Sequence, residues 1–257
     1  MNWLWMFVGT YLLYATIMVL AHPRCIYPFG PDAFDAPEFR QEVVTERDVA
    51  LAIHEGTTDE AVLFFMGNGG ALAYFTYTLN AHVTAERHLY AVEYPGGGGI
   101  PGTPSEVGLK ADALAAYDWI AARHDGPIVV HGYSMGTGLA QYVAARREVS
   151  AIILDAPFVK MCTLMTRASW LPACWLPFVQ KWNSAALIPE ISAPVLIQHG
   201  QDDQMIALAV GRQLADLMEE ADISVTFHAV PEANHNNLAG VPGYRDRIDA
   251  FLSDALK

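Results

Sequence analysis

The residues with the clearest potential for chemistry are a serine, an aspartate and a histidine in the second half of the chain. Ser134 lies in Gly132-Tyr133-Ser134-Met135-Gly136, a Gly-x-Ser-x-Gly sequence. Between a strand and a helix, such a sequence makes a sharp turn that exposes the serine hydroxyl. A serine hydroxyl becomes a good nucleophile only when a base takes its proton and a carboxylate orients that base. The chemistry to be tested is therefore nucleophilic attack on a carbonyl carbon.

An acid and a base follow later apolar segments in the order that this chemistry requires. Asp203 comes after residues 194–199, and His235 comes after residues 223–230. In open α/β sheets, side chains that follow parallel strands gather beyond the carboxyl ends of those strands. The order serine, aspartate, histidine is the one expected for a Gly-x-Ser-x-Gly turn in such a sheet. We predict Ser134 as the nucleophile, His235 as the base and Asp203 as its carboxylate.

Two other carboxylates remain open as the acid. Asp202 is adjacent to Asp203 in the sequence, and Asp155 ends another predicted strand. If Asp203 is the acid, a loop aspartate such as Asp202 is expected to cap the next helix.

The developing oxyanion needs two donors that are already aimed at it, normally backbone N–H groups. Met135 follows the nucleophile directly, so its amide is one predicted donor. The second is expected from the glycine-rich loop at residues 67–70, which follows an early apolar strand. We assign it to the Asn68 amide, with Gly69 as the alternative.

The elements around these residues alternate between strands and helices. Residues 43–54 predict a short antiparallel pair. Continuous apolar runs, which are typical of strands buried on both faces, occupy residues 61–66, 88–94, 127–131, 151–155, 194–199 and 223–230. Helical spacing marks residues 105–123, 138–145, 208–220 and 244–256. The predicted fold class is α/β, with a mostly parallel sheet covered by helices on both faces.

The first residues of the chain form a separate apolar segment. Residues 1–21 contain no charged side chain, and a run of that length can cross a bilayer as one helix. We predict that residues 1–22 form an anchor in contact with membrane lipid and that Pro23 and Arg24 end its helix. The alternative is a signal that is cleaved near Ala21, which would leave a secreted or periplasmic protein.

The remainder divides into a linker and one domain. Residues 23–42 are predicted to be a linker, and residues 43–257 a single domain. Within that domain, residues 156–190 interrupt the alternation of strands and helices and are rich in Trp, Pro, Leu and Met. They indicate an inserted cap that packs onto the sheet, covers an apolar acyl pocket or contacts lipid.

Charge and composition exclude some classes of function. The net charge is −13, which disfavours nucleic acid as a partner because nucleic-acid binding needs clustered Lys and Arg. Gly97, Gly99 and Gly102 match a dinucleotide-binding pattern, but the nearby prolines keep a helix from starting at the glycines, where a pyrophosphate would need one. Residues 96–99 are expected to be a flexible wall of the pocket instead. No cofactor and no metal are predicted.

The three cysteines are too few for a disulfide scaffold. Cys162 and Cys174 are able to pair in an oxidising compartment, and unpaired thiols are the alternative.

The chain resembles the α/β-hydrolase superfamily from about residue 43 to its end. The likeness is carried by residues 67–70, 132–136, 155–158, 199–203 and 234–236. It is greatest to membrane-associated serine hydrolases related to monoacylglycerol lipases, acyl-protein thioesterases and serine aminopeptidases. Met66, where the family often has His, and the four glycines at 96–99 depart from the pattern.

The resemblance implies a serine hydrolase with Ser134, His235 and Asp203 as its triad. Its expected substrate is a small-molecule ester or thioester with an apolar acyl group. The alternatives are an aminopeptidase-type serine peptidase and a catalytically silent, membrane-bound interaction module on the same scaffold.

Overall fold

The computed structural model describes residues 2–257, and a single eight-stranded sheet organises most of them. The strands are β1 Arg40–Val44, β2 Val49–His54, β3 Ala61–Phe65, β4 His88–Glu93, β5 Ile128–Tyr133, β6 Ala151–Asp155, β7 Val195–Gly200 and β8 Val225–Val230. Their order in the sheet is β1-β2-β4-β3-β5-β6-β7-β8. Strands β3 to β8 pair in parallel, whereas β1 and β2 are antiparallel to their neighbours. The predicted fold class is confirmed.

The helices are α1 Asn2–Ile26, α2 Thr76–Val83, α3 Glu106–Ala121, α4 Gly136–Ala144, α5 Met161–Ser169, α6 Leu208–Glu219 and α7 Tyr244–Ala255. Short 3-10 helices occupy Leu72–Phe75, Ala185–Glu190 and Leu238–Gly240. Neighbouring residues of β5 show that helices cover both faces of the sheet. His131 contacts His82 on α2, whereas the next residue, Gly132, lies against α4. Since successive side chains of a strand point to opposite faces, α2 and α4 lie on opposite sides.

The central strands are buried along their whole length, as their apolar composition predicts. Every residue of β3, β5, β6 and β7 is buried. One contiguous apolar core joins these strands to the inner faces of the helices. The rigid sheet therefore fixes the positions of the loops at its carboxyl edge.

The N-terminal helix extends further than the sequence predicts. Pro23 does not end it, and α1 continues to Ile26. A proline lacks the N–H that would bond to the carbonyl four residues earlier, here that of Val19. The ring atom Nδ1 of His22 lies 2.5 Å from that Val19 oxygen and replaces the missing donor. The helix then leads directly into the buried residues Ile26 and Tyr27.

The predicted linker is ordered against the domain and contributes to its sheet. Phe29 forms a parallel bridge with Gly70, and β1 begins at Arg40, within the predicted linker range.

Residues 156–190 lie between β6 and β7 and contain α5 and a disulfide between Cys162 and Cys174. The Cα atoms of the two cysteines are 5.0 Å apart. The question of their pairing, which the sequence left open, is thereby answered.

Candidate active site

Ser134 occupies the sharp turn that joins β5 to α4. Its φ angle is +51°, in the left-handed region that non-glycine residues seldom adopt. The backbone N–H of Ser134 donates to the carbonyl oxygen of Asp155 at the end of β6, at 2.8 Å. Thr137 stabilises the other side of the turn, because its N–H and its Oγ1 both bond to the Ser134 carbonyl, at 3.0 and 2.6 Å. The turn is therefore held in a strained conformation that projects the serine side chain.

The glycines on both sides of Ser134 are required by close backbone packing. A Cβ atom on Gly132 would collide with the backbone of Gly136, and a Cβ atom on Gly136 would collide with the carbonyl oxygen of Phe65. Neither obstacle is a flexible side chain. The Gly-x-Ser-x-Gly pattern thus allows α4 to begin directly against β3 and β5.

Gly136→Ala is expected to lower the free energy of unfolding by about 1–3 kcal/mol or more, because overpacking against fixed backbone forces the helix to shift. Gly240→Ala is the matched control, since a Cβ there meets nothing within 4 Å. Denaturant unfolding of both variants checks the prediction. Equal stability of the two variants would contradict the close packing of α4.

His235 joins Ser134 to Asp203 in a continuous hydrogen-bonded chain. The His235 Nε2 atom lies 2.9 Å from Ser134 Oγ, and its Nδ1 atom lies 2.7 Å from Asp203 Oδ2. All three residues are buried, and no more than 7% of any of them is exposed. The phenolic hydroxyl of Tyr133 donates to the His235 carbonyl oxygen at 2.5 Å and so fixes the loop that carries the imidazole. The structure brings together all three residues of the predicted triad.

Asp203 is held as an anion by several donors. Its Oδ1 atom accepts the backbone N–H groups of Met205 and Ile206, at 2.9 and 2.8 Å. Burial by itself would raise its pKa, but hydrogen bonds from His199 and His235 and from the Ile206 amide hold the pKa of this carboxyl well below its ordinary value. The carboxylate can therefore orient His235 across the acidic range as well as at neutral pH.

The depressed pKa of Asp203 predicts how stability depends on pH. A carboxyl whose folded pKa is lowered contributes stability that is complete above the unfolded pKa, about 3.9, and is lost as the pH falls through the folded value. The stability difference between the wild type and Asp203→Asn is expected to be constant from neutral pH to about pH 5 and to shrink below about pH 4. Denaturant unfolding at several pH values measures it. A difference that stays unchanged down to the acid limit would contradict the assignment.

Neither alternative acid, Asp202 or Asp155, is bonded to His235. Asp202 is exposed, and α6 begins without a side-chain cap, so the expected capping role of Asp202 is wrong. The Asp155 carboxylate is fully buried and contacts His131 Nε2 at 3.0 Å, Gln198 Nε2 at 3.2 Å and the Tyr244 hydroxyl. It makes no bond to His235. Asp155 instead stabilises the nucleophile turn through its backbone carbonyl, which accepts the N–H of Ser134.

The glycine-rich loop after β3 lies beside the nucleophile. A Cβ atom on Gly67 would be 3.3 Å from the Ser134 Cβ, and Asn68 and Gly69 line the same cavity as Ser134. Within the residues that the structure describes, the Asn68 and Met135 amides donate to no other protein group. The far end of the loop is fixed by the linker, since Gly30 N–H donates to the Gly70 carbonyl at 2.8 Å. Both predicted donors therefore remain available to an incoming oxyanion.

The cavity at Ser134 has a volume of about 580 Å³, within the range of about 300–1,000 Å³ that is usual for small-molecule sites. Ser134 and His235 are among the residues that line it. Its apolar and aromatic walls are formed by Tyr74, Phe75, Tyr77, Tyr133, Met205 and Val241. Tyr74, Phe75 and Tyr77 belong to α2 and the preceding 3-10 helix, which the sequence analysis did not predict because residues 72–83 lack a clear apolar period.

Two expected walls are not part of the cavity. Residues 96–99 do not line it. They pack instead against the linker and Glu93, since a Cβ on Gly97 would meet Phe29 and one on Gly98 would meet the Glu93 carboxylate. Residues 156–190 are also absent from the lining. The expectation that the cap covers the acyl pocket is therefore wrong for this cavity.

Comparison with known proteins agrees with the α/β fold. The sequence model of the dienelactone hydrolase family matches residues 102–243, more than half of the chain. The chain belongs to the dienelactone hydrolase family. It is therefore an α/β-hydrolase, as the sequence motifs suggested, and a hydrolase of the esterase or lipase type.

Relatives of this family member include both bacterial and animal proteins. It is 30% identical over 255 residues to the uncharacterized protein Rv2307c of Mycobacterium tuberculosis, covering 90% of this chain and 87% of that protein. It is 31% identical over 179 residues to the lysophosphatidylserine lipase ABHD12 of Macaca fascicularis, covering 62% of this chain and 44% of the lipase. The match thus spans less than half of the lipase.

Solved structures show the same fold. The esterase Pf2001 of Pyrococcus furiosus superposes with a TM-score of 0.72 at 16% identity, covering 89% of this family member and 97% of the esterase. At that identity the likeness establishes the architecture, and the chemistry has to be argued from the site itself.

Proposed function

We propose that this protein is a membrane-anchored serine hydrolase that cleaves carboxylic esters or thioesters of apolar acyl groups. The observation that carries the proposal is the chain of hydrogen bonds from Ser134 Oγ through the His235 imidazole to Asp203 Oδ2. Ser134 and His235 line a cavity with aromatic walls.

In the first half of the reaction, Ser134 Oγ attacks the carbonyl carbon while His235 Nε2 takes the hydroxyl proton. The negative charge that develops on the carbonyl oxygen is stabilised by the Asn68 and Met135 amides. Asp203 stabilises the imidazolium and keeps its Nδ1–H directed toward the carboxylate. His235 then gives its proton to the leaving alcohol or thiol, and the acyl group remains on Ser134.

In the second half, water attacks the acyl-enzyme. His235 Nε2 takes a proton from that water, the same amides receive the second oxyanion, and the proton returns to Ser134 Oγ as the carboxylic acid leaves. No metal or cofactor is needed for either half. Tyr74 and Tyr77 line the cavity and are both largely exposed. The cavity is therefore open to an acyl chain that enters from outside the protein.

A series of p-nitrophenyl esters of increasing acyl length tests the substrate class. Burial of each methylene contributes at most about 0.8 kcal/mol, so kcat/KM is expected to rise by up to about fourfold per methylene until the cavity is filled. Aminoacyl p-nitroanilides are the comparison substrates. A flat response to acyl length would contradict an apolar acyl site, and preference for the anilides would favour a peptidase.

The location that we propose rests on α1. The helix Trp3–Ile26 contains an 18-residue window with a mean hydropathy of 1.8 and is long enough to cross a membrane. Val19 packs with the small apolar cluster of the cap, and His22 is buried. Cleavage near Ala21 would remove Val19 and expose that cluster, which favours a retained anchor over a cleaved signal. Mass measurement of the mature protein tests this, since a loss of residues 1–21 would contradict retention.

The disulfide of the cap supports a domain that faces an oxidising compartment, because disulfides persist there and are rare in the cytosol. Alkylation of the unfolded protein is expected to modify one cysteine, Cys25, before reduction and all three cysteines after it. A Cys174→Ser variant is the control and is expected to show two reactive thiols without reduction. Three reactive thiols in the unreduced wild type would contradict the pairing.

A further inference from the structure

The second half of α1 is packed along the cap. Its half-buried and buried residues in this part include Ala15, Met18, Val19 and His22, whose spacing of three, four and seven residues defines one face of a helix. Residues 3–14 of α1 are all exposed. An apolar groove of about 220 Å³ runs between this face and the cap.

Two hydrogen bonds set the extent of this contact along the helix. The Tyr14 hydroxyl donates to the Ser169 carbonyl at 2.7 Å, and the Gln180 amide donates to His22 Nε2 at 3.2 Å. At a rise of 1.5 Å per residue, Tyr14 and His22 lie about 12 Å apart along α1. The cap therefore lies along α1 for about two turns, from His22 back to Tyr14.

That extent places part of the cap below the surface of the bilayer. The first charged side chain of the chain is Arg24, so an anchored α1 leaves the hydrocarbon between Ala21 and Arg24. Tyr14 then lies about 10–15 Å inside that boundary. Ser169 is bonded to Tyr14, so the end of the cap that carries Ser169 has to share this depth.

The composition of the cap fits such a position. Between Lys160 and Lys181 the only charged residue is Arg167, whose long stem allows the guanidinium to reach the headgroups. Trp170, Trp175 and Phe178 are exposed by 87, 88 and 88%. A cluster of large exposed aromatic side chains marks an interaction surface.

The backbone holds these aromatic residues outward. Trp170 and Phe178 have φ angles of +59° and +66°, which is rare for bulky residues and is maintained only where the surroundings determine it. The Cys162–Cys174 disulfide closes a loop that contains Trp170. The outward display is thus a built feature of the cap.

We propose that residues 161–180 are inserted into the lipid bilayer beside α1 as a second membrane contact, with Trp170 at the deep end and Lys160 and Lys181 at the headgroups. The occupant of this surface is the bilayer, because the surface is continuous with the membrane-spanning helix. The inference rests on the proposed anchor. Two membrane contacts, α1 and the cap, would fix the orientation of the domain relative to the bilayer, whereas α1 alone would not.

The depth of nitroxide labels on the full chain tests the inference. Single cysteines are introduced in a Cys25→Ser background that retains the disulfide, at Trp170→Cys in the cap, Leu13→Cys on α1 and Glu220→Cys on the exposed end of α6. The proteins are placed in vesicles of phosphatidylcholine and phosphatidylglycerol. Accessibility to oxygen and to a water-soluble nickel complex is then measured for each label.

The Trp170→Cys label is expected to lose its accessibility to nickel as fully as the Leu13→Cys label does, while the Glu220→Cys label keeps it. A cap label as accessible to nickel as Glu220→Cys, with Leu13→Cys shielded, would overturn cap insertion and leave the anchor standing. Nickel access at both sites would overturn both.

Ester hydrolysis by each labelled protein verifies its folding and tests the proposed reaction separately from membrane insertion. If Trp170→Cys does not fold, Phe178→Cys takes its place with the same expected loss of nickel access. Access of nickel to the label at 178 would overturn the proposal in the same way.

Discussion

Replacing Ser134 by alanine is expected to reduce kcat for ester hydrolysis by about 10⁴- to 10⁶-fold, because the acyl-enzyme can no longer form. The remaining rate would come from the oxyanion donors and from substrate binding, which the substitution leaves intact. The lost hydroxyl has one side-chain partner, His235, so stability should change little.

Ser105→Ala is the matched serine control for this measurement. The Ser105 Oγ caps α3 by accepting the Gly108 N–H at 3.1 Å, and loss of such a cap costs about 1 kcal/mol. The control should therefore lose stability and keep its activity, the reverse of Ser134→Ala. Wild-type kcat in Ser134→Ala would contradict the nucleophile assignment.

Replacing Asp203 by asparagine is expected to reduce kcat by about 10⁴-fold. An asparagine side chain can donate its own N–H to Nδ1, which would place the imidazole proton on Nε2, where Ser134 needs an acceptor. The two amides of Met205 and Ile206 would still hold the loop, because the amide oxygen can accept both bonds.

The neighbouring aspartate makes this test specific. Asp202→Asn removes the same charge one residue away, but its side chain is exposed and makes no contact with His235. Its steady-state kinetics should match the wild type. Equal losses in both variants would indicate that the charge of the loop, rather than the bond to His235, is what matters.

Much of the site could be predicted because its parts follow directly from local sequence. Continuous apolar runs identify the parallel strands, and the positions that follow those strands identify Ser134, Asp203 and His235. Choosing Asp203 over Asp202 and Asp155 required the three-dimensional structure. Asp155 also ends a strand, but its side chain is directed toward His131 and Tyr244, on the far side of the turn.

The parts that were missed depend on tertiary contacts that leave no periodic signal. A proline inside a helix usually ends or kinks it. At Pro23 the bond from His22 to the Val19 carbonyl allows α1 to continue. His199 was noted only as part of a motif, although it lies 3.4 Å from the Asp203 carboxylate. The four glycines at 96–99 resemble a mobile pocket wall in sequence, but their packing against Phe29 and Glu93 removes them from the cavity.

The position of the cap shows the same limit. Its aromatic composition suits either an acyl pocket or a lipid surface, and the sequence cannot choose between them. The bonds from Tyr14 to Ser169 and from Gln180 to His22 join it to α1. Those contacts connect residues more than 150 positions apart, a distance over which pattern alone gives no information.

The most direct test of the proposed chemistry is the site of reaction with a fluorophosphonate, which modifies serine nucleophiles that are activated by a histidine. Peptide mass spectrometry of the treated wild-type protein should find one adduct, on Ser134, in proportion to the loss of esterase activity. The Ser134→Ala protein should remain unmodified. Absence of an adduct in the wild type, or an adduct on another residue while Ser134 stays free, would contradict the serine-hydrolase function proposed for this protein.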